Sequence, residues 1–433
     1  MESKATWQQQ AANYDRTDPV GKFRNEFKIP EAAGKQRIYF LGNSLGLQPK
    51  STAKAIEGIL EQWSREGVES FFLGDDSWMT LHNRLLGTLA DITGSLPHEL
   101  SVMNQLSVNI HLMLVSFYRP DGKKRKILME SKAFPSDQYA VRSHLRYLGL
   151  NPDEIIVEVN SGKELEAISD EDIINVINRH SGEIALVFLG GINFYTGQLF
   201  DLGAVALAAK RAGALVGLDL AHAVGNVRLD LHDWEIDFAC WCSYKYLNGG
   251  PGAVGGIYIH EKYHHQQSIQ RLTGWWGNKQ ESRFQMKERF EPEVDATAWQ
   301  LSTPPVMLLA ALQASLSIFD AAGWQLLLEK QKLMQKCLAE WVESLGGTHF
   351  RCITPASRGC QLSLLFPAKG RVVYEQLFEK GFMVDWREPN VIRLAPVPLY
   401  NTFTEIWQFS EALKEIIQEL FSAEVQSEQI KIN

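Results

Sequence analysis

Cysteine is scarce in this sequence. The 433 residues include five cysteines, and no two of them are spaced as C-x-x-C. So few thiols, in an odd number, predict neither a disulfide framework nor a zinc site, and no metal is expected. The first residues also lack the apolar run of a secretory signal peptide. The longest apolar stretch, near Val306–Phe319, is too short and too interrupted to cross a bilayer. These absences predict a cytoplasmic protein with no membrane partner.

Positive charge is not in excess either. Lysine and arginine total 43 against 51 acidic residues, which gives a formal net charge of −8. An acidic balance disfavours nucleic acid and anionic membranes as partners, although helix N-termini in a local pocket could still hold a phosphate. With 45% hydrophobic and 22% charged residues, the composition is that of a globular protein, and the length favours two or three domains.

Short apolar segments alternate with helical patterns through the first two thirds of the chain. The segments predicted as strands are Lys126–Glu130, Glu154–Val159, Ile184–Gly190, Leu215–Leu220, Phe238–Ser243 and Gly256–His260. Helices are predicted between many of them, at Ser136–Leu148, Asp170–Arg179 and Leu202–Ala212. Several strands are almost wholly apolar, as expected of strands buried on both faces. This alternation predicts an α/β domain with a mostly parallel sheet flanked by helices.

The pattern changes after about residue 310, where longer helical segments alternate with isolated strands. The predicted elements there are a helix at Gln325–Ser344, a strand at Gln361–Phe366, a helix at Val372–Lys380, a strand at Val391–Ala395 and a helix at Thr404–Phe421. We therefore predict a large α/β domain over residues 46–310 and a smaller C-terminal α+β domain over residues 311–433. Residues 1–45 are expected to pack with the small domain.

Three polar residues follow predicted strands of the large domain. Asp219 ends one strand and is followed by His222, and Lys245 follows the next strand along the chain. Ligands of open α/β sheets bind beyond the carboxyl ends of the strands. A carboxylate facing a pyridine nitrogen keeps it protonated, and an enclosed lysine can form a Schiff base and move protons. Together these residues favour a pyridoxal 5'-phosphate enzyme that acts on an amino acid.

Each of these residues alone has a structural alternative. Asp219 could cap a turn, His222 could be a satisfied structural group and Lys245 a solvated charge. Ser107 begins a helical segment that could seat a phosphate, or it could be an ordinary N-cap residue. The glycine-rich stretch at residues 248–256 lacks the spacing of a nucleotide-binding loop and is interpreted as a backbone turn. The Trp275-Trp276 pair could pack locally or form an aromatic wall.

Several separate blocks of the sequence resemble kynureninase. They are Tyr39–Lys50, the loop Phe134-Pro135-Ser136-Asp137, Phe194–Gln198, Asp219–Val227, Leu231–Asn248 and Ala395–Asn401. The resemblance is specific because the blocks recur in order, and it runs from about Ile38 to the last helix. It implies the aminotransferase-like fold type I and hydrolysis of L-kynurenine to anthranilate and L-alanine. It also implies a place in tryptophan catabolism, through the kynurenine pathway, or in pyridine nucleotide biosynthesis.

The resemblance also implies roles for individual residues. Lys245 would hold the cofactor as a Schiff base, Asp219 would pair with the pyridine nitrogen, and Tyr244 would bind phosphate and supply a proton. Arg393 and Ser44 would contact the substrate. The implied cofactor contacts are Leu106, Ser107, Phe134, Pro135, Ser136, Asp137, Asp219, His222, Tyr244 and Lys245, with Trp275 and Thr303 reaching in from the second subunit of a homodimer.

Three positions depart from the family pattern. Gly190 stands where many relatives have a serine, Thr303 replaces an asparagine of the animal enzymes, and Val68 falls where those enzymes have a histidine. The last two favour kynurenine over 3-hydroxykynurenine as substrate. The alternatives are another fold type I enzyme, such as a cysteine desulfurase or an aminotransferase, and a non-catalytic binding protein that kept the fold.

Overall fold

The computed structural model describes residues 4–74, 77–160, 167–266, 268–345 and 349–432. Its α-helices are α1 (Lys4–Thr17), α2 (Thr52–Glu66), α3 (Leu86–Thr93), α4 (Leu106–Phe117), α5 (Pro135–Tyr147), α6 (Pro152–Ile155), α7 (Asp170–Arg179), α8 (Leu202–Arg211), α9 (Val306–Ala322), α10 (Trp324–Glu343), α11 (Gly370–Glu379) and α12 (Phe403–Ile432). Its strands are β1 (Phe27–Lys28), β2 (Glu31–Ala32), β3 (Lys35–Gln36), β4 (Ile38–Tyr39), β5 (Gln48–Pro49), β6 (Leu100–Val102), β7 (Lys126–Glu130), β8 (Ile156–Val159), β9 (Ile184–Gly190), β10 (Leu215–Asp219), β11 (Phe238–Trp241), β12 (Gly256–Ile259), β13 (Arg351–Cys352), β14 (Leu362–Leu365), β15 (Phe382–Met383), β16 (Asp385–Arg387) and β17 (Val391–Leu394).

The chain forms two compact units. The larger unit comprises Ser51–Phe194 and Leu199–Asp320, and the smaller comprises the described residues of Met1–Lys50, Tyr195–Gln198 and Ala321–Asn433. The short segment Tyr195–Gln198 therefore leaves the larger unit and joins the smaller one. Both units are discontinuous in sequence.

A seven-stranded sheet organises the larger unit, with the strand order β6-β12-β11-β10-β9-β7-β8. Neighbouring strands from β8 to β11 run parallel, whereas β12 is antiparallel to β11 and β6 is antiparallel to β12. The central strands are buried on both faces because helices cover the sheet. Their carboxyl ends meet at one edge, where ligands of such sheets bind.

The core of this unit joins the sheet to α4 and its neighbours. Phe117 of α4 stacks on Phe238 of β11, with the ring centroids 4.9 Å apart, and both side chains are buried. Ile127, Leu186 and other strand residues complete the cluster. Burial of this apolar surface fixes the sheet, and with it the loops that follow each strand, in one arrangement.

The strands predicted for this unit are all present, with some ends displaced by one or two residues. β8 begins later than predicted because Asn151 caps the short helix α6 with its side chain, which accepts the backbone N–H of Asp153 at 3.2 Å. β6 was not predicted, since three residues carry too little periodicity to be recognised.

The smaller unit is built around a four-stranded antiparallel sheet in the order β13-β14-β17-β16. Residues near the N-terminus belong to it. Asp15 accepts the backbone N–H groups of Phe403 and Thr404 at 2.7 and 2.9 Å and so caps α12. Buried Lys330 pairs with Asp18 at 2.7 Å.

None of the described helices is both long and apolar enough to cross a bilayer alone. Helices α9 and α10 reach the required length and composition only when they are joined as a bent pair.

Candidate active site

A cavity of about 260 Å³ lies at the carboxyl ends of β7, β9, β10 and β11. Strands β7, β10 and β11, or the segments after them, contribute polar side chains to the wall, whereas β9 and its loop contribute Gly190, Ile192 and Phe194. The lining residues are Gln105, Leu106, Ser107, Glu130, Phe134, Ser136, Asp137, Gly190, Ile192, Phe194, Asp219, Ala221, His222, Tyr244 and Lys245. All of them belong to the larger unit.

Lys245 lies in the turn that follows β11 and is 8% exposed. The turn is closed by the backbone N–H of Asn248, which donates to the carbonyl of Lys245 at 3.0 Å. The Nζ atom lies 5.9 Å from the ring centroid of Phe134 and 5.8 Å from that of Tyr244. The amine is therefore enclosed by aromatic rings and directed into the cavity, which suits a group that must react with a bound aldehyde.

Asp219 and Asp137 form a buried pair of carboxyl groups beside Lys245. Burial raises the pKa of Asp219, and the positive charge of Lys245 and the backbone N–H of Ala221, at 2.8 Å from Oδ1, oppose this. Burial, followed by the charge of Asp219, raises the pKa of Asp137 well above its usual range. Oδ1 of Asp137 is buried with no hydrogen-bond partner among the described residues. The pair therefore offers acceptors to a protonated group in the cavity.

Two helix N-termini meet at one side of the cavity. Helix α4 begins at Leu106 and α5 at Pro135, and no side chain caps either first turn. The hydroxyl groups of Ser107 and Ser136 lie 2.8 Å apart. Uncapped N–H groups, aligned dipoles and two hydroxyls form a seat for an anion such as a phosphate.

The remaining wall is aromatic. Phe134 is 40% exposed and contacts Phe194 edge to face, with the ring centroids 5.1 Å apart. Tyr244 is half-buried, and burial raises the pKa of its phenol above its ordinary value, so the hydroxyl keeps its proton at neutral pH. His222 is buried three residues after Asp219. The cavity thus has a flat apolar side for a ring and donors around its rim.

The structure brings most of the predicted cofactor contacts together, but five predicted residues do not line the cavity. Pro135 is the first residue of α5, between the lining residues Phe134 and Ser136. Trp275 and Thr303 are exposed in the larger unit and do not line the cavity. Ser44 and Arg393 belong to the smaller unit. Leu41 pairs with Ala395 there, so the segments that carry these two residues, which were predicted to contact the substrate, are adjacent.

Arg393 lies on β17 and is 1% exposed. Its Nε donates to Asp385 Oδ2 at 2.7 Å, and Nη2 contacts the same oxygen. The hydroxyl of Ser44 is buried and has no hydrogen-bond partner among the described residues. A buried guanidinium and an unpaired hydroxyl on adjacent segments are consistent with a site for a substrate carboxylate.

Glu130 is a cavity residue that the sequence interpretation missed. It ends β7, is 5% exposed, and accepts the side-chain N–H of Asn193 on Oε2 at 2.7 Å. The signal that could have identified it is the one that identified Asp219, an acidic residue at the carboxyl end of an apolar strand. The loop after β9, which carries Asn193, has no such signal.

Histidines and a glutamate also cluster away from the cavity, although no metal was predicted. Ligand atoms of Glu99, His232 and His260 all lie within 4.8 Å of one another. Glu99 Oε1 already accepts the backbone N–H of Glu261 at 2.9 Å and contacts His232 Nδ1 at 3.0 Å, while His260 Nδ1 accepts the backbone N–H of Lys262 at 3.2 Å. The hydrogen bond to Glu99 raises the pKa of His232. The cluster is therefore satisfied as a hydrogen-bonded network.

None of the five cysteines resembles a thiolate nucleophile. Four are buried, and Cys352 is half-buried. Burial raises the pKa of Cys352, Cys360 and Cys337, the last to about 12, so these thiols stay protonated at neutral pH. This does not fit a desulfurase that uses a mobile reactive cysteine.

Comparisons with known proteins show which family this chain belongs to. The family model of the kynureninase C-terminal domain matches residues 327–413, and that of the class-V aminotransferases matches residues 153–365. A kynureninase of Christiangramia forsetii is 44% identical over 412 residues, which cover 94% of this chain and 97% of that protein. A kynureninase of Xanthomonas campestris is 45% identical, with 93% and 96% covered. The chain is a member of the kynureninase family. The predicted resemblance is confirmed.

Solved structures support the fold of this member of the kynureninase family. A mutant of the C-DES protein with glycine covalently linked to its PLP cofactor has a TM-score of 0.74 at 18% identity, and 90% of this chain and 98% of that one are covered. A cysteine desulfurase of Thermococcus onnurineus has a TM-score of 0.72 at 17% identity, with 94% and 98% covered. The predicted aminotransferase-like α/β fold is confirmed.

Proposed function

We propose that this chain is a pyridoxal phosphate-dependent hydrolase that cleaves the Cβ–Cγ bond of L-kynurenine to give anthranilate and L-alanine. The observation that carries the proposal is the presence of buried Lys245 and buried Asp219 in one cavity at the strand ends of a kynureninase-family chain. We expect kynurenine to be preferred over 3-hydroxykynurenine as the substrate, because Thr303 and Val68 differ from the residues of the animal enzymes. The pathway would be tryptophan breakdown or pyridine nucleotide synthesis.

The residues present fit pyridoxal phosphate. The phosphate would be held at the meeting N-termini of α4 and α5, with Ser107 and Ser136. The unpaired oxygen of Asp137 and the carboxylate of Asp219 would receive the protonated ring nitrogen. Phe134 would cover one ring face. This cofactor supplies an electron sink beside the amino-acid carbons at which bonds break.

Lys245 would be both the anchor of the cofactor and the base of the reaction. Its Nζ is enclosed by the rings of Phe134 and Tyr244, so water has little access to it. As the base, Nζ would remove the proton from the substrate Cα. It would return a proton before the product leaves.

Asp219 and Tyr244 would complete the proton transfers. Negative Asp219 would hold a proton on the ring nitrogen, and this proton would make the ring a better electron acceptor. Tyr244 keeps its phenolic proton because burial raises its pKa, so it can donate that proton to the departing alanyl carbon. Arg393 would bind the substrate carboxylate, and Ser44 would line the substrate pocket.

A homodimer with shared active sites is part of the proposal. Phe72, Trp275 and Phe284 form an exposed aromatic patch in the larger unit, and each side chain is between 45% and 52% exposed. The ring centroids of Phe284 lie 5.4 Å from Phe72 and 5.2 Å from Trp275. An exposed patch of large aromatic side chains is typical of a protein interface. It supports the expectation that Trp275 and Thr303 serve the site of a second subunit.

The direct test is product formation. Purified protein supplied with pyridoxal phosphate and L-kynurenine should release fluorescent anthranilate and L-alanine in equal amounts. With 3-hydroxykynurenine the kcat/KM should be lower. Release of neither product from kynurenine, or release of sulfide from cysteine in their place, would reject the proposal.

A further inference from the structure

Glu130 occupies the wall of the cavity that no proposed contact of the cofactor uses. Strands β7, β9 and β10 are neighbours in the sheet, and they end in Glu130, Gly190 and Asp219. Asp219 would take the ring nitrogen, Lys245 the aldehyde carbon, and the helix N-termini the phosphate arm. The hydroxyl of the cofactor ring lies on the edge opposite the phosphate arm. The lining residues that these contacts leave unused include Glu130, Gly190 and Ile192, which would then face that edge.

Gly190 leaves room for the carboxyl group of Glu130. A Cβ atom at position 190 would lie 2.9 Å from Glu130 Oε1, closer than real Cβ atoms come to an oxygen. A serine there would therefore require the end of the Glu130 side chain to shift. The other oxygen, Oε2, accepts from Asn193, and the carboxyl group, which lines the cavity, also accepts a hydrogen bond from the backbone of Gly190. The missing side chain at position 190 thus provides the space that the carboxyl group of Glu130 occupies.

The charge balance of the cavity favours a neutral Glu130. Burial, with a smaller contribution from the charge of Asp219, raises its pKa to about 7, although the hydrogen bonds from Asn193 and the backbone of Gly190 act in the opposite direction. The charge of Glu130 in turn raises the pKa of Asp137. A protonated carboxyl can donate a hydrogen bond from Oε1 while Oε2 accepts one. The titratable groups that line the cavity are Glu130, Asp137, Asp219, His222, Tyr244 and Lys245.

We propose that neutral Glu130, held by Asn193, binds the hydroxyl oxygen of the pyridoxal ring and takes the place of the side chain that Gly190 lacks. The inference rests on the proposed function, because it presumes that pyridoxal phosphate is the cofactor. Glu130 is a binding and positioning residue in this account. Its ionisation removes the donor and places a negative charge beside an electron-rich oxygen, so cofactor affinity falls as the pH rises through its pKa.

The test measures cofactor binding to the apoprotein between pH 5.5 and 8.5, not turnover. The dissociation constant of pyridoxal phosphate is followed for the wild type and for Glu130→Gln, Glu130→Ala, Gly190→Ser and the double variant Glu130→Ala/Gly190→Ser. Glu158→Gln, a change at an exposed glutamate on neighbouring β8, is the matched control. Thermal unfolding of each apoprotein identifies any variant that fails to fold.

Glu130→Ala should weaken cofactor binding roughly 10- to 100-fold, the range expected for a lost hydrogen bond to a charged partner. The amide of Glu130→Gln still donates a hydrogen bond, so this variant should bind the cofactor nearly as tightly as the wild type. Because the amide does not ionise, its affinity should not fall above pH 7 as that of the wild type does. Gly190→Ser alone should weaken binding. Glu130→Ala/Gly190→Ser should recover much of the loss, because the serine hydroxyl then enters the vacated space.

Independent losses in the double variant, or a Glu130→Gln titration that matches the wild type, would overturn the inference. Both outcomes leave the proposed function standing if the wild type still binds pyridoxal phosphate and cleaves kynurenine. Failure of the wild type to bind the cofactor at all would instead reject the proposed function. The pH effect should persist in Glu158→Gln, which keeps Glu130, and its loss there would also count against the inference.

Discussion

At the scale of single residues, burial gives ordinary side chains their unusual properties in this protein. Asp219, Asp137 and Glu130 share one cavity with a single lysine, and burial raises the pKa of all three carboxyl groups. Three full negative charges in so small a space would be costly, so protons are shared among them. A bound ring with a protonated nitrogen would relieve part of that repulsion.

Asp219→Asn tests the first of these charges. The amide cannot carry the negative charge that keeps a proton on the ring nitrogen, so kcat with kynurenine should fall by roughly 100- to 1,000-fold, or about 3–4 kcal/mol in activation free energy. Cofactor binding should persist, as measured by visible absorbance. Asp153→Asn, at an exposed position, is the control. A variant of Asp219 with unchanged kcat would refute the role given to this carboxylate.

Some of these residues could be recognised from the sequence, and others could not. Asp219 and Lys245 each follow an apolar strand, and that position alone indicates a ligand edge. Glu130 also ends such a strand, but the absence of a side chain at Gly190, which gives it room, becomes meaningful only when the strands are paired in space. No sequence pattern identifies Asn193, because its role is to donate a hydrogen bond to Glu130.

At the scale of elements, the periodicity of the sequence predicts the long segments well. Helix α7 is observed at the predicted residues, Asp170–Arg179, because its apolar face and its acidic first turn mark both ends. The very short strands of the N-terminal fifty residues were not predicted, since pairs of residues show no period. The meeting of α4 and α5 at Ser107 and Ser136 is also invisible in the sequence, because 29 positions separate the two serines.

At the scale of the whole molecule, the chain passes between its two units more often than a linear division suggests. The segment Tyr195–Gln198 joins the smaller unit in the middle of the larger one. There, the hydroxyl of Ser363 donates to the carbonyl of Tyr195 at 2.7 Å. A boundary drawn from composition cannot include such an excursion, because four residues show no change of pattern. The domain limits of 45 and 310 stay predictions.

The exposed aromatic patch gives a prediction for the assembly. Phe284→Asp places a charge between Phe72 and Trp275, so the protein should sediment as a monomer where the wild type sediments as a dimer. Its affinity for pyridoxal phosphate should fall as well, because the contacts of Trp275 and Thr303 come from the second subunit. Tyr147→Asp, at a position 84% exposed, is the control and should leave the dimer intact. A dimeric Phe284→Asp protein would show that this patch is not the interface.

The central claim is that Lys245 binds the cofactor and acts as the base. The most direct measurement is peptide mass spectrometry after borohydride reduction of the loaded protein, run beside a kynurenine assay of Lys245→Ala. The account predicts a pyridoxyl group on the peptide that contains Lys245 and no multiple turnover in the variant. A pyridoxyl group on another lysine, or near-normal turnover by Lys245→Ala, would contradict it.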